Sequence, residues 1–371
     1  MTENQKKLIK ETIIQINKSI TSDIRIMEIC GTHTHQIARF GIRKLLTPKI
    51  HLVSGPGCPV CVTEPGYIDA LITLLKHESI MIATFGDLLR VRGSLGCLEE
   101  QKALGKSVVT VYSPEDVLSL SKENKNRSIV FAAVGFETTA PLYAVLIQTA
   151  QKEKIRNLYL LTALKRMEPV IQFILGDARI RVDGILCPGH VAAITGIKPF
   201  LPITDDYHIP SVICGFEEID LITSISILCK QITGESPVQL INTYKLCVSD
   251  AGNQAALSLM NQVFKISDVN WRGIGKIKDS ALVLNSDYQD YDALKRFGLE
   301  IKLDSQPLPL ECACGQVMIG ETTPDMCANF GYHCTPQHPI GPCMISSEGA
   351  CAAYYRYGSG ESGTKNQSPA W

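Results

Sequence analysis

Residues 25–35 read RIMEICGTHTH, an apolar run followed directly by a glycine and a polar segment. The run RIMEIC predicts a buried β-strand that ends at Cys30. The residues after it predict an α-helix that should run through Gln36 to Leu46. The same order of apolar run, turn and helix recurs along most of the chain, and this repetition decides the fold.

Short apolar runs follow one another on both sides of residues 121–128, a polar run that we interpret as a link between two lobes. Strands that alternate with helices are typical of βαβ units and of a mainly parallel sheet. The predicted fold is therefore α/β, with two related parallel-sheet lobes around a central cleft and a loop-rich domain at the carboxyl end, for which the cysteines described below favour an iron–sulfur cluster. The predicted strands are 25–30, 51–55, 80–86 and 108–113 in the first lobe and 129–136, 158–163, 184–190, 212–216 and 238–244 in the second.

Three regions are expected along the chain. Residues 1–125 form the N-terminal lobe, which contains Cys30 and the C-x-x-C motif, and residues 126–245 form the second lobe. Residues 246–371 combine a mixed segment with the C-terminal domain. Frequent glycine and proline between residues 312 and 351 favour loops over long helices or strands there. The predicted elements outside the two lobe series are a helix at 3–18, a helix near 253–264 and a strand at 281–285.

Composition excludes several classes of protein. The 36 Lys and Arg residues and 37 Asp and Glu residues leave a formal net charge of −1, so no global field attracts nucleic acid or an anionic membrane. The apolar runs are shorter than the roughly 18 residues of a membrane-spanning helix. Lys6, Lys7 and Lys10 interrupt the first residues, which therefore lack the apolar core of a secretory signal. We expect a soluble, cytoplasmic protein that binds neither nucleic acid nor a membrane.

Cysteines are concentrated near the end of the chain: of 14 in total, six lie between residues 312 and 351. Because disulfide frameworks are rare in the reducing cytosol, this concentration favours metal ligands or redox-active thiols. Four widely spaced thiolates suit an iron–sulfur cluster. Structural zinc usually has two C-x₂₋₄-C knuckles, so the spacing favours the cluster, with zinc as the alternative. The candidate ligands are Cys312, Cys327, Cys334 and Cys351, with Cys314 and Cys343 as substitutes.

Cys30 is expected between the carboxyl end of a strand and the amino end of a helix. Free N–H groups and the helix dipole at such a position lower the pKa of a thiol, which makes it a nucleophile or a soft-metal ligand. His33 and His35 add imidazoles nearby. The alternative is that Cys30 is a small core residue and that the histidines make local hydrogen bonds.

Cys58 and Cys61 form a C-x-x-C motif in the string GPGCPVC at the next strand end. Two such thiols can form a disulfide or bind a metal, and half of a zinc knuckle is the competing interpretation. A thioredoxin fold fits poorly, because the motif follows a second strand in a longer α/β array. Two further strand ends carry Glu137 and His190, which could face Cys30. Their ordinary interpretations are a helix cap for the glutamate and a structural residue for the histidine.

Six strings in the chain are long and unusual. They are MEICGTHTH (27–35), GPGCPVC (55–61), TFGDLLRV (84–91), GFETTAP (135–141), CPGHV (187–191) and SSEGACAAYYRY (346–357). Taken together, these strings resemble the HypD family of [NiFe]-hydrogenase maturation proteins. The resemblance runs in order across nearly the whole chain, and one small departure is Arg92, where a proline is expected.

The resemblance implies a scaffold on which the Fe(CN)₂CO part of the hydrogenase active site is assembled as transient cargo. It implies two partners, a HypC-type small chaperone and a HypE-type cyanide donor. It also implies that Cys30 ligates the iron, together with a cysteine of the chaperone, and that the four candidate tail ligands hold a [4Fe–4S] cluster. Further site residues implied by the family motifs are the redox pair Cys58 and Cys61, and His33, His190 and Glu348 in proton transfer or ligand positioning.

Two other functions stay open at this point. One is a cluster-dependent thiol–disulfide reductase that acts on other proteins, and the other is a zinc-binding interaction module without a redox role. The sequence does not decide whether the chain is itself an enzyme, and a metallocofactor assembly scaffold with redox activity is the expectation.

Overall fold

The structure of the protein is a computed structural model that describes residues 2–301 and 312–358. The strands are β1 (Ile24–Glu28), β2 (Ile50–Ser54), β3 (Ile80–Thr84), β4 (Val108–Thr110), β5 (Ser128–Gly135), β6 (Leu158–Lys165), β7 (Gly184–Pro188), β8 (Ser211–Cys214), β9 (Leu240–Asn242), β10 (Phe264–Trp271) and β11 (Gly275–Leu284).

Helices connect most of these strands. They are α1 (Glu3–Ser19), α2 (Gly31–Arg39), α3 (Ile42–Leu45), α4 (Pro65–Leu74), α5 (Leu98–Ala103), α6 (Pro114–Glu123), α7 (Ala140–Lys152), α8 (Met167–Gly176), α9 (Gly189–Thr195), α10 (Leu201–Asp205), α11 (Glu218–Ile232), α12 (Gln254–Val263), α13 (Ala293–Phe297), α14 (Cys314–Met318), α15 (Pro342–Ile345) and α16 (Ala350–Gly358). Short 3₁₀ helices lie at Gly86–Leu88, Lys198–Phe200, Ser286–Tyr291 and Pro324–Met326.

The strands form two sheets. The first sheet has the order β2-β1-β7-β8-β9, and its strands pair in parallel. The second sheet has the order β10-β11-β6-β5-β3-β4. Its pairs from β6 to β4 are parallel, while β11 pairs antiparallel with both β10 and β6. The predicted α/β class with two mainly parallel sheets is confirmed.

The strands do not divide between the sheets along the boundaries expected from the sequence. The first sheet joins β1 and β2 to β7, β8 and β9, so it draws on both sides of residue 125. The second sheet joins β3 and β4 to β5 and β6, and so crosses the same boundary. Parallel strands are linked by long crossovers, so neighbours in sequence can belong to different sheets. Apolar runs therefore locate strands without revealing their partners.

The segment after Cys30 also differs from the expected continuous helix. Helix α2 ends at Arg39, and the chain turns at Gly41, whose φ of +66° is left-handed, before the short α3. A glycine in this conformation commonly ends a helix, because other residues pay a steric cost there. The predicted helix through Gln36 to Leu46 is therefore divided into two.

The hairpin of β10 and β11 extends the second sheet at its β6 edge, where Ala281 lies opposite Lys165. The apolar string ALVLN predicts the end of β11, but β10 was not predicted, because FKISDVNW is rich in polar residues and largely accessible. No helix in the described part of the chain is both long and apolar enough to cross a membrane.

Candidate metal and thiol site

Cys30 follows β1 and is the N-cap residue of α2, the position that the sequence predicts. Its turn is held against the C-x-x-C loop, because the amide of Gly31 donates a hydrogen bond to the carbonyl of Gly57 at 3.2 Å. A methyl group on Gly57 would lie 2.5 Å from the Cα of Cys30, so glycine is required for this close approach. The backbone of Cys30 and the C-x-x-C loop are therefore in direct contact.

Burial controls the ionisation of Cys30. Desolvation raises the pKa of its thiol to about 11, although the amides of His33 and Thr32 donate hydrogen bonds to the sulfur. The nearby carboxylate of Glu348 raises the pKa further. The lowered pKa expected from the helix N-terminus is therefore wrong for this residue, because burial outweighs the amide hydrogen bonds. A metal ion binding here would displace a proton from the sulfur.

A cavity of about 380 Å³ opens beside Cys30. Both sheets contribute to its wall, since strand ends and following turns from each lie around it. The C-x-x-C loop and the C-terminal region add further lining residues. The lining residues include Cys30, Thr32, Gly57, Asp87, His190 and Glu348.

His190 and His33 both stack on the ring of Phe216, but they lie in different environments. His190 lies in the cavity, and its ring stacks on Phe216. His33 also stacks on Phe216 but is fully buried, with Nε2 3.0 Å from the carbonyl oxygen of Gly215. Because that partner is an acceptor, Nε2 carries the proton. Burial lowers the pKa of His33 to about 4 and leaves its Nδ1 without a partner among the described residues.

Glu348, in the C-terminal region, forms part of the cavity wall. Its carboxylate accepts a hydrogen bond from the hydroxyl of Thr32 at 3.5 Å. Burial, followed by repulsion from Asp87, raises the pKa of Glu348. Asp87 in turn accepts hydrogen bonds from the hydroxyls of Ser346 and Ser347 at 3.2 and 3.0 Å. The predicted residues Cys30, His190 and Glu348 thus share one cavity.

Cys58 and Cys61 form a disulfide, with their Cα atoms 5.3 Å apart. The amide of Cys61 lies 3.1 Å from the sulfur of Cys58. The sulfur of Cys61 lies 3.8 Å from the carbonyl oxygen of Pro342, next to Cys343 in the chain. The redox pair expected from the sequence is therefore in contact with the cysteine-rich tail.

The tail brings four thiols together. The side chain of Cys314 lies near those of Cys312, Cys343 and Cys351 and interacts with each of them. Cys312 and Cys351 are predicted ligands, whereas Cys314 and Cys343 were the substitutes. We call these four residues the thiol cluster.

The two other predicted tail ligands are Cys334 and Cys327. Cys334 is buried in the same apolar core as three members of the thiol cluster, and its sulfur accepts a hydrogen bond from the amide of Ile340 at 3.4 Å. Cys327 is half-buried at the end of a 3₁₀ helix. The sequence spacing alone did not distinguish these positions from Cys314 and Cys343.

The donor set of the thiol cluster is compatible with an iron–sulfur group and also with zinc. Its donors are all sulfur, which iron–sulfur clusters and zinc share. A methyl group on Gly341 would overlap the sulfur atoms of Cys312 and Cys314, so glycine keeps this side of the cluster clear. In residues 2–301 and 312–358, no three His, Cys, Asp or Glu side chains are arranged as ligands of a single metal ion.

Glu137 and His35, two further candidates from the sequence, have structural roles. The carboxylate of Glu137 is buried and accepts a hydrogen bond from the amide of Met167 at 2.8 Å, at the start of α8. It is absent from the lining of the cavity. His35 contacts the hydroxyl of Tyr357 at 3.0 Å and so ties α2 to α16.

Phe216 and Asp87 belong to the site but were not predicted from the sequence. Phe216 lies in the string Gly-Phe-Glu, which occurs at both 135–137 and 215–217, and this repeat could have indicated its importance. Asp87 lies within the string TFGDLLRV, but nothing in its spacing indicated a contact with residues 346 and 347.

Comparisons with known proteins agree with the resemblance. The family model HypD, described as "Hydrogenase formation hypA family", matches residues 5–358. The chain is 40% identical over 350 residues to "Hydrogenase maturation factor HypD" of Rhodobacter capsulatus, covering 93% of this chain and 92% of that protein. It is 38% identical over 362 residues to the factor of the same name from Escherichia coli, covering 95% and 94%. A putative hydrogenase expression/formation protein of Methanocaldococcus jannaschii is 38% identical over 358 residues, covering 95% and 98%.

Proposed function

The chain belongs to the HypD family of hydrogenase maturation factors, and from this premise we propose that it is the scaffold on which the Fe(CN)₂CO group of [NiFe]-hydrogenases is assembled. The observation that carries the proposal is the position of Cys30. Its side chain lines a cavity, and its backbone touches the loop that carries the Cys58–Cys61 disulfide. The thiol in the cavity and the disulfide in the adjoining loop are thus neighbours, although Cys58 and Cys61 do not themselves line the cavity.

The chemistry of the cargo suits this site. Iron that carries cyanide and carbon monoxide is a soft, electron-rich centre, for which thiolate is a suitable ligand. Cys30 would bind this iron as a thiolate, with its proton released on binding. His190 and Glu348 supply polar groups to the same cavity, where they can contact the cyanide nitrogen atoms. His33 acts through Phe216 and is a positioning residue.

Partners complete the iron site in this proposal. A HypC-type small chaperone supplies a second cysteine ligand, and a HypE-type protein donates the cyanide groups. Both steps take place in the cytoplasm. In this proposal the partner residue approaches Cys30 through the cavity that it lines.

The cysteine-rich tail would hold a resident [4Fe–4S] cluster, with Cys312 and Cys351 common to the predicted ligands and the thiol cluster. Such a cluster supplies single electrons when bound. The contact between Cys61 and Pro342 places the disulfide beside this part of the chain. Reduction of the disulfide takes two electrons and two protons and yields the Cys58 and Cys61 thiols.

The contact between Cys61 and Pro342 also favours a second candidate function, a cluster-dependent thiol–disulfide reductase that acts on other proteins. Such an enzyme would need the disulfide and the tail but not Cys30. The scaffold therefore requires the side chain of Cys30, whereas the reductase does not.

The test is infrared spectroscopy combined with iron and sulfide analysis on the anaerobically purified chain with its chaperone. In the scaffold, Cys30→Ala removes the Fe–CN and Fe–CO stretches and keeps the iron and sulfide of the tail. Cys97→Ala is the control, because Cys97 is a buried thiol at the start of α5, and it should keep both signals. Stretches that persist in Cys30→Ala, or that are missing in the wild type, favour the reductase. Zinc without sulfide favours the interaction module.

A further inference from the structure

Arg272 lies at the tip of the hairpin formed by β10 and β11. It follows the buried Trp271, and its own side chain is only 8% exposed. Its amide donates a hydrogen bond to the carbonyl of Val62 at 3.0 Å. Val62 follows Cys61 in the chain, so this bond ties the hairpin tip to the C-x-x-C loop.

The hairpin tip also touches the cysteine-rich tail. A methyl group on Gly315 would lie 2.9 Å from the carbonyl oxygen of Gly273, so α14 packs closely on the turn. The guanidinium of Arg272 interacts electrostatically with Cys312, Cys314 and Cys343. A buried positive charge therefore lies beside three of the four residues of the thiol cluster.

The guanidinium is not fully satisfied by the described residues. Its Nε is buried without a hydrogen-bond partner among them. One terminal nitrogen lies 3.5 Å from the carbonyl oxygen of Arg92, at the outer limit of a hydrogen bond. A buried cation with an unused donor is costly unless an anion lies nearby.

Glu64 is the nearby carboxylate, but it has other partners. It accepts a hydrogen bond from the side chain of Asn270 at 2.9 Å and interacts with the buried ammonium of Lys165. Lys165 in turn donates to the carbonyl of Asn270 at 3.0 Å. Glu64 is therefore shared between two buried basic side chains, since it interacts with Arg272 as well as with Lys165. One carboxylate offsets only part of their combined charge, and the guanidinium of Arg272 also interacts with the thiols.

We infer that Arg272 is a positioning residue whose fixed positive charge stabilises the reduced state of the iron–sulfur group held by the tail cysteines. The inference rests on the proposed function, which supplies that group. Reduction adds one electron from an external reductant and makes the group more negative by one charge, with no bond made or broken. A buried cation close to the sulfurs favours that state, because the low dielectric strengthens the attraction. The amide of Arg272 meanwhile holds the C-x-x-C loop beside the group.

The test is an anaerobic redox titration of the full-length chain with dithionite, followed by electron paramagnetic resonance. Arg272→Gln removes the charge and keeps much of the volume. We expect the equilibrium constant for reduction to fall at least about tenfold, which is about 59 mV for a one-electron couple. Arg272→Lys keeps the charge and should stay within about threefold of the wild type. Arg92→Gln is the matched control, because Arg92 is exposed and pairs with Glu100, and it should leave the potential unchanged.

An unchanged potential in Arg272→Gln overturns the inference, as does an equal shift in Arg272→Lys. If Arg272→Gln binds no iron, its potential cannot be measured, and Arg272→Lys tests the role of the charge instead. Normal iron and potential in Arg272→Lys then support the role of the charge, and loss of iron there contradicts it. A wild-type chain without iron and sulfide would instead refute the proposed cluster, and with it the inference.

Discussion

The imidazole of His190 stacks on the ring of Phe216, with the ring centroids 3.8 Å apart and 19° between the planes. His33 stacks on the same ring at 4.6 Å. Phe216 therefore connects a histidine of the cavity wall to a buried histidine that contacts the backbone of β8. The position of His190 depends on a residue that has no polar group.

Replacing Phe216 by leucine removes both ring contacts and keeps most of the buried volume. Since an aromatic pair contributes about 0.5–1.5 kcal/mol, we expect the free energy of unfolding to fall by about 1–3 kcal/mol. Iron loading at Cys30 should fall as well, because His190 loses its support. Denaturant unfolding and iron analysis measure the two effects. Phe173→Leu, at a partly exposed site on α8, is the control, and equal effects of the two substitutions would count against this role.

Replacing Gly57 by alanine tests the contact between Cys30 and the C-x-x-C loop. The added methyl group would lie 2.5 Å from the Cα of Cys30, where only backbone movement can relieve the overlap. We expect a loss of about 1–3 kcal/mol in the free energy of unfolding. Gly176→Ala is the control, because its new methyl group would be 3.9 Å from the hydroxyl of Tyr207. Wild-type stability in Gly57→Ala would show that the two turns are not held together.

Glu137 should make stability depend on pH. Burial raises the pKa of its carboxyl from 4.5 to about 7. Between these values the folded chain keeps a proton that the unfolded chain has lost, so stability falls as pH rises from about 4.5 to 7. Arg166 opposes this shift and Glu168 adds to it. The loss amounts to at most about 3 kcal/mol.

Denaturant unfolding at pH 5 and pH 8 measures this effect. Glu137→Gln removes the titrating group, so its stability relative to the wild type should increase between the two pH values. Glu115→Gln, at an exposed position in the first turn of α6, should leave the pH dependence as in the wild type. Parallel curves for the wild type and Glu137→Gln would contradict the prediction.

Cys312 belongs both to the ligands predicted from the sequence and to the thiol cluster. We therefore expect Cys312→Ala to lose most of the iron and sulfide of the anaerobically reconstituted chain, because a four-thiolate site with one ligand removed holds its cluster weakly. Elemental analysis and visible absorption measure the loss, and Cys229→Ala, in a buried position on α11, is the control. Single alanine variants of Cys314, Cys327, Cys334, Cys343 and Cys351 then assign the remaining ligands. Full iron content in Cys312→Ala would rule out this residue as a ligand.

Much of the fold could be predicted because its strands are short apolar runs. The string IMIATFG predicts β3, and SIVFAAVGF predicts β5, since both strands are buried on both faces. The string FKISDVNW did not predict β10, because its polar residues face solvent in a hairpin. Strand order was not predictable either, because it depends on contacts between residues far apart in sequence.

The site could be predicted in part. Cys30 at the strand end and the pair Cys58 and Cys61 follow from local patterns of turn residues and cysteines. The raised pKa of Cys30 did not follow, because burial depends on the packing of the whole structure. Arg272 is a further case, since its partners Val62 and Cys312 come from opposite ends of the chain.

The interleaved strand order has a consequence for synthesis on the ribosome. The first sheet is incomplete until β9 has emerged, and the second until β11 has emerged. A nascent chain that has been synthesised only as far as residue 125 can complete neither sheet. Apolar strands of both sheets therefore stay exposed during most of translation. The unfinished polypeptide is therefore exposed to aggregation until nearly all of its strands have left the ribosome.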